Sequence, residues 1–230
     1  MTILALDTSG PVCSVAVMEQ SVLRYEARAV NRLTHSESLM PMVQEALQKS
    51  GVPRETLTHL ACVVGPGSFT GVRIGVAAAQ GMARGMGLPC IAINALEAMA
   101  WGACMADTVI CTIRDARSSQ VYGAAFRDGK RLINDCALKL AEFLDAVSPL
   151  GERLYFLGDG APVYHDQIVR ILGQRALIAP PHLVQPGAGH AACLAMEKMR
   201  EAVDPGQLMP LYLRAPQAER LRAMRDGHEL

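Results

Sequence analysis

Short apolar runs and amphipathic segments alternate in a regular order along the first part of the chain. The run ILALD is followed by the turn residues of DTSG, so it predicts a buried strand that ends where the polar residues begin. After residue 34, apolar residues recur three and four positions apart, which predicts a helix with one buried face. The predicted elements are strands at 3–7, 12–17, 22–29 and 60–64 and helices from 34 toward 51 and at 71–86.

The first of these helices carries two opposing signals. Thr34 and Glu37 have the spacing of a capping box, in which the two residues satisfy each other's backbone N–H groups, and they predict the helix start. Pro41 lacks a backbone N–H, and a proline inside a helix costs about 3 kcal/mol. We therefore expect a kink at Pro41 or a helix that starts late.

The second part of the chain repeats the same order. Its predicted elements are strands at 108–113, 120–126, 131–137 and 154–157 and helices at 140–147, 162–172 and 189–202. Two successive β-β-β-α-β-α units are the organisation of the actin-like ATPase fold (ASKHA, ribonuclease H-like), so the order predicts an α/β protein of that class. We expect one half at 1–104, a second half at 105–213 and a tail at 214–230.

The charge balance narrows the possible functions. Lys+Arg and Asp+Glu both number 22, so the formal net charge is zero. A protein that binds nucleic acid by itself usually has a basic excess or a basic stripe, so in any RNA-directed role a partner would supply most phosphate contacts. The chain has no apolar run of ~20 residues that could cross a membrane and no signal-peptide pattern at its N-terminus. We expect a cytoplasmic protein.

The stretch VVGPGSFTGVRIG, at 63–75, joins a predicted buried strand to a helix through a Gly-Pro-Gly turn. Backbone N–H groups around Gly65 and Gly67 would point from the helix N-terminus, which favours an anion, and Arg73 would add positive charge. The stretch lacks the Gly-Lys-Ser/Thr ending of a Walker A loop. A tight turn that needs glycine for a positive φ is the alternative, and both interpretations stay open.

Three aspartates follow predicted strands: Asp7 in LDTSG, Asp115 in IRDARSSQ and Asp159 in LGDGAP. In actin-like ATPases, acidic turns at such positions hold nucleotide phosphates and Mg²⁺, which prefers oxygen ligands. The candidate vestigial nucleotide or anion site also includes Thr8, Ser9, Gly65 and Gly67. The alternative is that each aspartate caps its own turn. IRDARSS has no glycine and places an arginine where a phosphate would need close backbone approach.

Other catalytic patterns are missing from the sequence. None of the 6 histidines pairs with another at helical spacing, and no Gly-x-Ser-x-Gly elbow occurs. The residues therefore predict neither a helix-borne metal site nor a serine-hydrolase site.

Small residues recur every four positions in the helix predicted at 71–86, at Gly71, Gly75, Ala79 and Ala83. Glycine inside a helix costs about 1 kcal/mol relative to alanine, so some packing must compensate. Such a strip allows two helices to approach closely, and methionines such as Met40, Met82 and Met86 suit adaptable contacts. A partner interface and ordinary core packing are both consistent with this pattern.

Five stretches resemble the TsaB family closely and span most of the chain. They are ILALDTSG, VVGPGSFTGVRIG, DARSSQVY, LGDGAPVY and PLYLRAPQAE. The resemblance implies an actin-like, non-catalytic subunit that pairs with the related transferase TsaD. TsaD transfers threonylcarbamoyl to the adenosine next to the tRNA anticodon, and the ATPase TsaE joins the pair. The tRNA would be reached through the complex, and ATP would be used by the complex through TsaE, with no cofactor held by this chain.

The resemblance also implies where partners bind. The family pairs through its two N-terminal helices, and isolated members can form homodimers through the same surface. The residues expected at this interface are Leu39, Met40, Val43, Leu47, Gly71, Gly75, Ala79, Met82 and Met86.

The departures from TsaD support a non-catalytic role. TsaD carries a His-x-Glu-Gly-His metal motif, and the matching stretch here places Ala95 and Met99 at the two histidine positions and retains Glu97. Without the two imidazoles, we expect no metal site. Two enzyme alternatives remain: an actin-fold ATPase or kinase acting through Asp7, the Gly65–Gly67 turn and Asp159, and a metal-dependent peptidase.

Overall fold

The computed structural model describes residues 1–31, 33–103, 105–185 and 187–214. The chain forms two five-stranded sheets, each covered by helices on both faces. Within the described ranges, no helix combines the length and the apolar character needed to cross a membrane. The tail expected at 214–230 lies outside the described residues except for Arg214, as does the APQAE end of the last family-like stretch.

The first sheet is built from the first part of the chain. Its elements are β1 (Thr2–Asp7), β2 (Cys13–Glu19), β3 (Val22–Ala29), α1 (His35–Lys49), β4 (His59–Gly65), α2 (Phe69–Met86) and β5 (Cys90–Asn94), followed by α3 (Ala95–Trp101). The strand order is β3-β2-β1-β4-β5, with β1, β2 and β3 antiparallel and β1, β4 and β5 parallel. Helices α1 and α2 cover one face of the sheet.

The second sheet repeats this topology. Its elements are β6 (Val109–Asp115), β7 (Gln120–Arg127), β8 (Lys130–Lys139), α4 (Leu140–Val147), β9 (Leu154–Leu157), α5 (Gly160–Val163), α6 (His165–Leu172), β10 (Ala176–Ile178), α7 (Pro181–Val184) and α8 (Ala188–Glu197). The strand order, read from its other edge, is β8-β7-β6-β9-β10, the same as in the first sheet. The predicted actin-like repeat is confirmed, while β5, α3, β10 and α7 were not predicted.

Helix α1 starts where the capping signal predicts. The Thr34 backbone N–H donates to the Glu37 carboxylate at 2.8 Å, and the helix runs from His35 to Lys49 with Pro41 inside it. The expected late start at Pro41 is therefore wrong. Burial of Leu39, Val43 and Ala46 against the sheet gives α1 packing energy that offsets the lost hydrogen bond.

The small-residue strip of α2 faces the protein's own sheet. A Cβ on Gly71 would collide with the Thr8 carbonyl oxygen, and one on Gly75 would collide with the Thr8 hydroxyl. Ala79 and Ala83 are completely buried in the same core. The expectation that this strip faces a partner is therefore wrong, because the strip is what lets α2 lie close to β1 and β4. The expected interface residues Leu39 and Val43 are buried in this core as well.

The last helix of each half packs on the sheet of the other half. Leu96 and Met99 of α3 pack with Ile110 and Phe126 of the second sheet. In return, α8 packs through its alanines and Leu194 against the first sheet. The chain beyond α8 also returns to the first half, where the Leu211 N–H donates to the Val64 carbonyl at 2.7 Å. The expected division at residue 104 therefore does not follow the packing.

Candidate functional site

The turn after β1 lies between the two halves and is tied down by its own hydrogen bonds. The Asp7 carboxylate oxygen Oδ1 accepts the Ser9 backbone N–H at 2.8 Å and the Ser9 hydroxyl at 2.5 Å. The Thr8 hydroxyl donates to the Gly71 carbonyl at 2.7 Å, which fastens the turn to the start of α2. Each of these three side chains therefore has a structural role in this turn.

The glycine turn between β4 and α2 closes against the turn after β1. Gly65 has a φ of 118°, a conformation that favours glycine. A Cβ on Gly67 would collide with the Ser9 carbonyl oxygen, and the same oxygen accepts the Ser68 N–H at 2.8 Å. Close approach of two backbone segments thus accounts for glycine at 67, and the positive φ expected on the tight-turn interpretation occurs at Gly65.

The two aspartates of the second half lie in different surroundings. Asp115 Oδ1 accepts the Arg117 N–H at 2.9 Å and the Tyr164 hydroxyl at 2.7 Å, so this carboxylate caps a turn and anchors a tyrosine. Burial raises the pKa of Tyr164 to about 12, with the Asp115 hydrogen bond as a further cause. Burial also raises the pKa of Asp159, and the positive charge of the nearby Arg114 partly opposes this increase.

Arg114, near the end of β6, is the residue that the sequence interpretation missed. Its side chain is 7% exposed and reaches across to the first half, where Nη2 lies 3.9 Å from Asp7 Oδ2. The sequence did contain an indication of this residue, because VICTIRD is an apolar strand in which an arginine takes a buried position. Alternation along β6 directs Arg114 to the same face as Ile110, which is the face toward the other half.

Arg73, expected to add charge to the glycine turn, lies elsewhere. Its guanidinium carbon stands 3.9 Å from the centre of the Phe69 ring, and its Nε donates to the Tyr212 hydroxyl at 2.8 Å. This stack fastens the end of the described chain to the first turn of α2. The positive charge at the site therefore comes from the second half.

The space that remains between the turns is small. A cavity of about 10 Å³ lies among side chains and glycines of both halves: Asp7, Gly10, Pro11, Val12, Met99, Arg114, Gly158, Asp159, Val184 and Gln185. A volume of this size holds roughly one water molecule. The cavity itself is therefore much smaller than a nucleotide.

The positions that correspond to the TsaD metal motif lie at the start of α3. Ala95 and Met99 are buried in the apolar cores of the two sheets. Glu97 pairs with Lys198 at 3.1 Å and with Arg131 at 3.6 Å, so its carboxylate links α3 to two other segments. In the part of the chain that the structure describes, no three His, Cys, Asp or Glu side chains cluster in a way that could hold a metal ion.

A different set of small residues forms the outward face of α2. Ala77, Gly81 and Gly85 are exposed, and a Cβ on either glycine would meet no atom of residues 1–31, 33–103, 105–185 or 187–214 within 4 Å. Among the other residues expected at the interface, Met40 on α1 is 48% exposed, while Leu47, Met82 and Met86 are half-buried. We call Ala77, Gly81 and Gly85 the outer strip.

Comparisons with known proteins agree with this architecture. The family model described as TsaD, tRNA N6-adenosine threonylcarbamoyltransferase, matches residues 29–221. The tRNA threonylcarbamoyladenosine biosynthesis protein TsaB of Bacillus subtilis strain 168 is 32% identical over 223 residues, covering 95% of this chain and 96% of its own. The Haemophilus influenzae protein of the same name is 44% identical over 128 residues, covering 53% of this chain and 52% of its own.

Solved structures give the same grouping. YeaZ from Pseudomonas aeruginosa superposes with a TM-score of 0.75 at 29% identity, covering 92% of this chain and 99% of its own. A polyphosphate/ATP-glucomannokinase from Arthrobacter sp. strain KM shares only the fold, with a TM-score of 0.50 at 12% identity, covering 85% of this chain and 99% of its own. The family match and the full-length Bacillus subtilis relative together show that this chain belongs to the TsaB family of TsaD-related proteins.

Proposed function

We propose that this chain acts in tRNA threonylcarbamoyladenosine formation as a non-catalytic subunit that pairs with a TsaD-type transferase. Its relatives in Bacillus subtilis and Haemophilus influenzae carry the name of that biosynthesis. A TsaE-type ATPase joins the pair and uses the ATP, and tRNA is bound through the complex. When it is alone, the chain can form a homodimer through the surface that it uses to pair with the transferase.

The outer strip of α2 is the observation that carries the pairing role. Gly81 and Gly85 each cost the helix about 1 kcal/mol relative to alanine, and no neighbouring atom among the described residues requires a glycine at either position. Contact with a second helix at this face would make use of the missing side chains. The exposed Met40 on α1 and the half-buried Met82 and Met86 add adaptable apolar area.

Two features support a non-catalytic role. The α3 start carries Ala95 and Met99 where TsaD has imidazole ligands, and both side chains are buried in apolar cores. The cavity between the turns of the two halves measures about 10 Å³, which holds about one water molecule and is far smaller than a nucleotide. These features weigh against the ATPase, kinase and metallopeptidase alternatives.

Reconstitution tests the proposal directly. The purified chain is incubated with tRNA, threonine, bicarbonate, ATP and the enzyme that makes the threonylcarbamoyl adenylate, with and without TsaD-type and TsaE-type proteins of the same organism. We expect modified adenosine only when all three proteins are present. Product without the TsaD-type protein would contradict the non-catalytic role, and full product without this chain would contradict its requirement.

Elemental analysis of protein prepared without chelators addresses the metal separately. We expect less than one equivalent of zinc or iron per chain, because α3 supplies no imidazole. A stoichiometric metal would revive the metallopeptidase alternative.

A further inference from the structure

The Arg114 guanidinium lies between turns that belong to the opposite half of the chain. Its neighbours there include the Asp7 carboxylate and the turns at Gly10 and Gly67. Because the side chain is 7% exposed, the head group is enclosed by the turns. An enclosed guanidinium is unusual, since arginine is almost never fully buried without strong partners.

The glycine at position 10 fits this guanidinium closely. A Cβ built on Gly10 would lie 2.8 Å from Nη1, 3.4 Å from Cζ and 3.5 Å from Nη2 of Arg114, and these are its three nearest atoms. Gly10 does not have a positive φ, so its backbone accepts an alanine. Space for the Arg114 head group is therefore the reason that position 10 carries no side chain.

Gly67, on the other turn, also borders the head group, with its Cβ position 3.0 Å from Nη1. Arg114 thus fills the gap between a turn that follows β1 and a turn that starts α2. The cavity left beside it, about 10 Å³, holds about one water molecule. This cavity is therefore too small to receive the displaced head group.

The hydrogen bonding of the head group is incomplete. Within the described residues, Arg114 Nε and Nη1 are buried without a hydrogen-bond partner, and so is Gln185 Oε1 in the lining of the same cavity. A water molecule can accept from the arginine and donate to the glutamine, whereas an anion would satisfy only the arginine and would face Asp7 and Asp159. The polar groups thus favour a water-sized neutral occupant over a phosphate.

We propose that Arg114 is a built-in occupant of the cleft between the halves and excludes phosphate-bearing ligands such as nucleotides. The two turns that resemble a phosphate site close on a side chain of the same molecule. This inference concerns the cleft alone and does not depend on pairing through α2.

A double-mutant cycle tests the position of the head group. Gly10→Ala, Arg114→Met and the double variant are compared by thermal melting, because methionine keeps the apolar stem and removes the guanidinium. We expect Gly10→Ala to lower the Tm of the natural chain by several degrees and to have little effect in the Arg114→Met background. Gly81→Ala serves as a matched control, since its Cβ meets no atom within 4 Å in the part of the chain that the structure describes, and its effect should be the same in both backgrounds.

Equal effects of Gly10→Ala in the two backgrounds, or no effect in the natural chain, would overturn the assignment. Arg114→Lys, which keeps the charge but shortens the head group, replaces Arg114→Met as the background if the methionine variant does not fold.

Binding of inorganic pyrophosphate with Mg²⁺, followed by titration calorimetry, tests the exclusion. We expect Arg114→Met to bind this probe at least tenfold more tightly than the natural chain. Equal behaviour of the two proteins, whether both bind or neither does, would overturn the exclusion. Tighter binding by the natural chain would show instead that Arg114 is a phosphate ligand.

Discussion

The two halves share a topology but use the same turn position differently. After β1, Asp7 accepts the N–H of Ser9, two residues on, at 2.8 Å; after β6, Asp115 accepts the N–H of Arg117, also two residues on, at 2.9 Å. The local hydrogen bond is thus the same in both turns. The difference lies in the residue before the second aspartate, since Arg114 extends its guanidinium group into the other half. A repeated backbone can therefore keep its turn while one copy of the turn receives a side chain from the other half.

The helices of the two halves differ more than the sheets do. Helix α2 has 18 residues and leaves Gly81 and Gly85 open to solvent. The helical segment at the corresponding place in the second half is divided into α5 and α6, of 4 and 8 residues. A long regular helix offers a continuous face to a partner, and a divided one does not. On the two proposals, the first half binds the partner protein through α2, and the second half supplies Arg114, which fills the cleft between the halves.

The largest effect is expected from a bulky residue on the inner strip of α2. Gly75→Leu would drive a side chain into Thr8 and Cys62. Overpacking of this kind costs about 3 kcal/mol or more where the neighbours cannot move, which corresponds to a fall in Tm of roughly 6 to 12 °C. Thermal melting of the monomer measures it. A Tm within a degree of the natural chain would show that α2 does not lie on β1 as described.

The same substitution on the outer strip should act on pairing instead of folding. Gly81→Leu leaves the core untouched but holds a partner helix away, and a cost of about 1–3 kcal/mol corresponds to roughly 5- to 150-fold weaker association. Dissociation of the complex with the TsaD-type protein, and of any homodimer, is followed by analytical ultracentrifugation. Ala146→Leu, at an exposed position of α4 in the second half, is the control and should leave pairing unchanged. Unaltered pairing in Gly81→Leu would place the interface elsewhere.

A smaller effect distinguishes glycines that only weaken the α2 helix from glycines that the packing of α2 requires. Gly81→Ala should stabilise the monomer by about 1 kcal/mol, because alanine favours the helix, and this raises Tm by roughly 2 to 4 °C. Gly71→Ala, where the Cβ would collide with the Thr8 carbonyl oxygen, should lower Tm instead. Equal signs for the two variants would contradict the assignment of inner and outer faces.

The smallest effect is expected from the buried carboxyl group of Asp159 in the second half. Burial raises the pKa of Asp159, so the folded state favours its protonated form, while the Arg114 charge opposes this shift. The stabilisation is complete below the ordinary aspartate pKa of about 3.9 and is lost as the pH rises through the raised pKa of the folded state. Asp159→Asn should therefore raise Tm at pH 7 and have little effect near pH 4. A fall in Tm confined to pH 7 would show that the ionised carboxylate stabilises the fold through Arg114.

Local sequence signals were sufficient for most of the secondary structure. Apolar runs closed by turn residues located β1, β4, β6 and β9, because a buried strand needs only its own side chains to be apolar. The pair Thr34 and Glu37 located the start of α1, since the bond between them joins residues three apart. The repeated order of these elements then indicated the fold class, and the family-like stretches indicated the family.

The tertiary structure decided which faces and which distant residues meet. Small residues occur on two sides of α2, at Gly71 and Gly75 and at Gly81 and Gly85, and spacing alone did not show which side lies on the sheet. The reach of Arg114 toward Asp7 joins residues 107 positions apart, and the exchange of α3 and α8 brings each helix onto the sheet of the other half. Such contacts depend on how the two sheets and their helices pack together. The periodicity of one segment shows which of its residues share a face, but it does not show what that face packs against.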